Sequence, residues 1–142
     1  LLYTATLDVG TGQPLAITGV MLGGFSRDSV STGVVSLLDS IRGGFHDVPL
    51  SERGQQVGTY TTAWGSAGRM VLLDSASILT WSDTPIAMTM DTTTPETYED
   101  GESVGTITWT AGPNTATADV TLEGGIEQPT AWWRLTHPGE LW

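Results

Sequence analysis

Gly54-Gln55-Gln56-Val57-Gly58-Thr59 returns further along the chain as Gly101-Glu102-Ser103-Val104-Gly105-Thr106. The second two-thirds of the sequence therefore reads as two copies of one β unit. After each signature comes a strand-like run, a glycine turn and a second run, in which Val71-Leu72-Leu73-Asp74 aligns with Val120-Thr121-Leu122-Glu123, followed by Ile78 or Ile126. The signature itself has a local logic. Polar glycine turns, Glu52-Arg53-Gly54-Gln55 and Glu99-Asp100-Gly101-Glu102, lead into Val57 or Val104, which point inward, while Gly58 or Gly105 leaves room for a crossing strand.

Outward from these copies, everything after Val48 is strand and turn chemistry, rich in Thr, Val, Ile and Trp. It is punctuated by Gly65-Ser66-Ala67-Gly68, Asp83-Thr84-Pro85, Thr94-Pro95 and Gly112-Pro113-Asn114. Short strands with such turns predict an antiparallel β-sandwich or barrel-like domain of two repeats over residues 46–142. Residues 1–45 read differently. Leu1, Tyr3, Ala5, Leu7 and Val9 alternate with Leu2, Thr4, Thr6 and Asp8, as in a half-buried strand. Gly10-Thr11-Gly12-Gln13 turns the chain, and the apolar run 15–22 reads as a central strand. Ser26 or Asp28 then caps a helix, on which Val30, Val34, Leu37, Leu38, Ile41 and Phe45 recur at helical spacing until Gly43-Gly44. A hairpin with one helix is too small to offset its chain entropy alone, so this segment needs a larger partner. The boundary falls between His46 and Pro49.

The chain has 142 residues and a net charge of −11, with sixteen acidic residues and five arginines, Arg27, Arg42, Arg53, Arg69 and Arg134, but no lysine. A field of that sign repels phosphates and argues against nucleic-acid binding. Without cysteine there is no disulfide, thiol nucleophile or thiolate metal site. The longest apolar stretch, 17–22, is far shorter than the roughly 20 residues of a spanning helix. No basic-then-apolar leader opens the sequence, and it begins at Leu1 without a methionine, which predicts a fragment or a processed product.

Candidate sites are few. His46 and His137 each have a carboxylate nearby, Asp47 and Glu140, but no serine sits in a Gly-x-Ser-x-Gly elbow, so surface or interdomain roles are expected for both. The acidic turn at 99–102 lacks the ligand spacing of a calcium loop. No catalytic residue, cofactor or metal is assigned. Trp64, Trp81 and Trp109 lie in strand-like runs and read as packing, whereas Trp132, Trp133 and Trp142 crowd a polar tail beside Arg134. Such a tail packs on its own sheet, binds another protein, stacks on sugar rings or lies at a membrane surface. Trp132, Trp133 and Arg134 are the candidate interaction residues.

Three motifs carry a resemblance. Ile17-Thr18-Gly19-Val20-Met21-Leu22-Gly23-Gly24-Phe25-Ser26-Arg27-Asp28 followed by Leu37-Leu38-Asp39 resembles the closing strand and C-terminal helix of the catalytic domain in serine-type D-alanyl-D-alanine carboxypeptidases, the low-molecular-mass penicillin-binding proteins. Residues 99–106 resemble the strand motif of the β-rich domain that follows it, and Trp132-Trp133-Arg134-Leu135-Thr136-His137-Pro138 resembles the tail of actinobacterial members. The resemblance implies a hairpin and helix left over from an α/β transpeptidase-like domain, then a noncatalytic spacer or interaction region, outside the cytoplasm at the cell envelope. It implies a parent active in peptidoglycan maturation through Ser-x-x-Lys, Ser-x-Asn and Lys-Thr-Gly motifs. A chain without lysine contains neither lysine motif, so it should be inactive alone. The implied partners are the missing catalytic domain, peptidoglycan, the membrane surface or another envelope protein. Both edges of the hairpin would be orphaned, which predicts a strand-paired homodimer or a displaced hairpin. Two other readings stay open: a free-standing β structural protein of adhesin or virion-decoration type, and a glycan-binding module.

Overall fold

The computed structural model describes residues 1–10 and 14–140, so Thr11, Gly12 and Gln13, read above as part of a turn, and Leu141 and Trp142 lie outside the described residues. The chain is mainly β. In order it forms β1 (Leu2–Leu7), β2 (Leu15–Val20), α1 (Arg27–Gly44), β3 (Phe45–Ser51), β4 (Gln56–Thr61), β5 (Ala67–Leu72), β6 (Ala76–Trp81), β7 (Ala87–Thr92), β8 (Ser103–Ala111), β9 (Asn114–Glu123), α2 (Ala131–Thr136) and a single 3₁₀ turn, Pro138–Glu140. Strands β1 and β2 pair with each other, β3 pairs with β6, and the rest make a curled antiparallel sheet in the order β4-β5-β9-β8-β7. Two compact units result. One holds Leu1–Val48, Ile78–Ile86 and Ala111–Asn114; the other holds Pro49–Ser77, Ala87–Thr110 and the residues from Thr115 on.

In the first unit β1 and β2 align without a break from Leu2 opposite Val20 to Leu7 opposite Leu15. Alternation is clean on β1, where Tyr3, Ala5 and Leu7 turn inward and Leu2, Thr4 and Thr6 face out. The β2 run, read as a central strand, alternates in the same way, with Val20 exposed and, among the described residues, one neighbouring strand, β1. The helix begins on Ser26, whose hydroxyl accepts from the Ser29 N–H at 3.1 Å while the Ser29 hydroxyl accepts from the Ser26 N–H at 3.1 Å. Val30, Val34, Leu38 and Ile41 face inward as the spacing requires, but Leu37 stands out on the exposed side with Val35. Phe45 leaves the helix to open β3, and the Trp81 ring packs on it edge to face with centroids 5.3 Å apart. The same indole covers Gly44, where any Cβ would overlap the ring. Trp81 is thus a half-exposed clamp at the end of β6 and not a core residue.

In the second unit Met70, Leu72, Val104, Ile107, Trp109, Ala118, Val120, Leu122 and Ile126 form one buried cluster, with Val57, Tyr60 and Tyr98 packed against it. The duplication is visible in the backbone. Gly54 N donates to Leu72 O at 2.8 Å and Gly101 N to Leu122 O at 2.8 Å; Leu72 N returns to Gln55 O, and Leu122 N to Glu102 O. Both turns close alike, through Gln55 N to Glu52 O and Glu102 N to Glu99 O. These bonds make Leu72 equivalent to Leu122, which corrects the alignment of Val71 with Val120, because the second hairpin is the longer one. Val71 lies directly opposite Thr121 where β5 meets β9. By the corrected equivalence those are matching positions, so a local two-fold passes between the copies at this pair.

The Val-Gly step explains itself in this geometry. Val57 and Tyr60 both face inward, as do Val104 and Ile107, although three residues apart on a strand puts side chains on opposite faces. A one-residue irregularity resolves the conflict, and in β4 the register shifts between Gln56 and Gly58. At Gly105, with φ +156°, a Cβ would run into the Asp91 carbonyl of β7, so what approaches closely is the paired neighbouring strand and not a crossing one. At Gly58 the nearest heavy atom to such a Cβ is the Met70 sulfur at 3.6 Å, ordinary contact, so close crossing is not its reason there.

Candidate functional site

The tail is anchored by aromatic packing. Thr130 caps α2, its hydroxyl accepting from the Trp133 N–H at 3.2 Å, and this fixes where the three candidate residues face. Trp133 turns onto the sheet, edge to face with Trp64 at 5.9 Å between centroids, and its other side stacks on His137 at 4.8 Å with the planes 8° apart. Trp64 in turn meets Tyr98 edge-on at 5.2 Å and donates its indole N–H to the Glu127 carbonyl at 2.7 Å. Tyr60 continues the row beside Tyr98, with centroids 6.3 Å apart. Trp64 sits in the β4–β5 turn and not in a strand, which corrects its reading as strand packing.

The remaining candidates look outward. Trp132 is 72% exposed and Leu135 74%, one helical turn apart on α2. Arg134 is exposed and lines a shallow depression with Pro129, Ala131 and Leu135. The three candidates therefore divide: Trp133 holds the tail down, and Trp132 and Arg134 are presented to solvent. The arrangement offers one open indole, one aliphatic side chain and one guanidinium, which suits stacking on a flat apolar face with a polar or anionic group beside it.

Below the tail lies a polar knot that the sequence did not announce. The Glu102 carboxylate accepts from the N–H groups of Glu96 at 2.5 Å, Thr97 at 3.1 Å and Tyr98 at 2.6 Å, and from the Thr97 hydroxyl at 2.9 Å. Desolvation works to raise this carboxyl, but the donors from Thr97, Glu96 and Tyr98 outweigh it and hold it at about 2. Tyr98 takes a left-handed backbone, φ +61°, and its carbonyl accepts from the Ile126 N–H at 2.7 Å. Burial, and next the Tyr60 neighbour, push the Tyr98 phenol above its ordinary value. Asp100 Oδ1 accepts from the Gly124 N–H at 2.7 Å. Two of the three carboxylates of the acidic turn, Asp100 and Glu102, thus hold backbone in place. Among the described residues no three His, Asp or Glu side chains gather as a metal site would require. In the first copy the matching residue makes a different and smaller contact, Gln55 Oε1 accepting from the Glu52 N–H at 3.1 Å within its own turn. The only advance signal was that Gln55 and Glu102 fill the same place in the repeat.

His46 is exposed on β3 in the first unit, and His137 is stacked on Trp133 in the second. No helix among the described residues is long and apolar enough to cross a membrane.

No family model matches this sequence, and no curated protein matches it. Among solved structures the chain is similar to penicillin binding protein 5 from Haemophilus influenzae, at 12% identity and a TM-score of 0.52. The match covers 90% of this chain and 38% of that one. At that identity the likeness is one of fold, and it runs through the hairpin and helix as well as the β sheet: the chain has the fold of a part, well under half, of a penicillin-binding protein.

Proposed function

We propose that this chain is the noncatalytic C-terminal spacer and interaction region of a D-alanyl-D-alanine carboxypeptidase of actinobacterial type, acting outside the cytoplasm in peptidoglycan maturation. The observation that carries the reading is the run of the fold match: it extends over 90% of the chain, across the order hairpin, helix and β unit that the sequence motifs resemble. The chain brings no lysine, so the nucleophile and its activating base belong to a part of the parent outside residues 1–142. Its contribution is mechanical. The sheet, bound together by its buried cluster, sets the height and orientation of an active site, and the tail presents Trp132 and Arg134 to whatever lies next to it. Peptidoglycan, the membrane surface and a second envelope protein are the candidate neighbours.

A fluorescent penicillin tests the reading. The product of the complete reading frame should be labelled at a serine of a Ser-x-x-Lys motif, and residues 1–142 alone should stay dark. An unlabelled full-length product defeats the proposal in favour of a free-standing β protein. The outward setting of Trp132 supports a narrower glycan-binding reading, in which Trp132→Ala abolishes retention on peptidoglycan without changing the melting curve. Unchanged retention removes it.

A further inference from the structure

We propose that the outer edge of β1 docks β1 of a second copy of this chain, antiparallel about a two-fold axis at Thr4, so that two hairpins join into one four-stranded sheet. The backbone decides which groups are available. Leu1 and Met21 exchange both hydrogen bonds, each 2.8 Å, and the register from Leu2 opposite Val20 to Leu7 opposite Leu15 has no shift. Hydrogen-bonded and non-bonded pairs alternate along an antiparallel ladder, so Tyr3, Ala5 and Leu7 spend their backbone groups on β2. The N–H and C=O groups of Leu2, Thr4 and Thr6 point the other way, along an edge with no neighbouring strand among the described residues.

That edge lacks the devices that keep edges apart. Strand β1 reads Leu-Tyr-Thr-Ala-Thr-Leu, with no charge, no proline and no bulge. The free edges of the large sheet are different: β4 carries the bulge at Gln56/Gly58 and β7 carries Asp91. Placing Thr4 opposite Thr4 of the second copy sets Leu2 opposite Thr6 and Tyr3 opposite Ala5. Every outward backbone group then finds a partner, threonine meets threonine on the open face, and a large ring meets a methyl on the covered one. The occupant is a second copy because one short strand supplies both halves of this match, and because a net charge of −11 does not oppose it there. Asp8, the nearest acidic side chain, falls at opposite ends of the seam, about 26 Å from its counterpart at strand rise and beyond the Debye length of roughly 10 Å. The β2 edge is the poorer choice. Its self-match sets Ile17 against Gly19 and Val20 against Ala16, and Gly19, already covered by the Tyr3 ring, adds nothing to a cross-strand pair.

The inference concerns residues 1–142 as one chain and needs no penicillin chemistry, so its failure and the failure of the functional reading are distinguishable. Sedimentation equilibrium over a concentration series tests it, with Thr4→Pro and Thr18→Pro as variants. Neither threonine uses its N–H inside the hairpin, so proline deletes an outward donor and leaves the ladder intact. The wild type and Thr18→Pro should associate to dimers while Thr4→Pro stays monomeric with an unchanged far-ultraviolet spectrum. A wild type that remains monomeric, or dimerisation lost in Thr18→Pro and kept in Thr4→Pro, overturns the proposal. Should Thr4→Pro unfold, hydrogen exchange on the wild type decides: the Leu2, Thr4 and Thr6 amides should become protected as concentration rises, and fast exchange at every concentration overturns it.

Discussion

Glu102 accepts from three consecutive backbone N–H groups, so its ionised form is bound into the loop that carries Tyr98. Its carboxyl titrates at about 2 when folded and at the ordinary 4.5 otherwise. A depressed folded value means stability that is whole above about pH 4.5 and is lost as the pH falls toward 2. A neutral glutamine, Gln55, fills the matching place in the first copy and accepts a backbone N–H there, so Glu102→Gln should fold. Its urea midpoint should lie below wild type at neutral pH, and the gap should close between pH 4.5 and 2; two midpoints that run parallel through that window would refute the assignment. Gly105 gives a second test at this scale. Gly105→Ala sets a Cβ against the Asp91 carbonyl at φ +156° and should cost about 1–3 kcal/mol. Gly58→Ala, with only a sulfur at 3.6 Å, should change stability by less than about 1 kcal/mol. Equal effects in denaturant melts would mean that both glycines serve the bulge alone.

At the scale of the element, what could be read in advance was whatever depends on near neighbours in the chain. The repeat announced two hairpins because a polar glycine turn and a Val-Gly step act locally, and the paired bonds from Gly54 to Leu72 and from Gly101 to Leu122 repeat faithfully. The Ser26 cap and the helical spacing of Val30, Val34, Leu38 and Ile41 were legible for the same reason. Long-range choices were not. Nothing near Trp64 says that it meets Trp133 from the far end of the chain. The candidate trio at the tail was found by its aromatic density, but its division into an anchor and an outward pair depends on the Thr130 cap, which sets the rotation of α2. This division is testable. Trp133→Ala removes the contacts with Trp64 and His137 and should cost about 1–3 kcal/mol, while Trp132→Ala should stay within about 0.5 kcal/mol of wild type. Matching thermal melts for the two would mean that the tail is not docked in solution.

The whole molecule is uneven in what it buries, and stability should follow. The second unit gathers its nine-residue cluster around β5, β8 and β9, whereas α1 buries Val34 alone and the hairpin buries only Leu7. Leu2, Val20, Leu22, Phe25, Val35 and Leu37 meanwhile stay exposed in the first unit. Burial yields roughly 25 cal/mol per Å² of apolar surface, so the hairpin and helix hold less of the driving force per ordered residue than the sheet does. Local opening energies span a wide range within one protein and track buried apolar contact. Guanidinium should therefore remove the structure in two steps. The helical signal at 222 nm, which α1 dominates as the one long helix described, should fall first. Emission from Trp109, 6% exposed inside the sheet, should shift only at higher denaturant. Measured in a variant whose other tryptophans are phenylalanine, the two probes should give separate midpoints, and Leu122→Ala should lower the second by the equivalent of about 2–5 kcal/mol while leaving the first in place. Coincident midpoints that move together in Leu122→Ala would show a single cooperative fold.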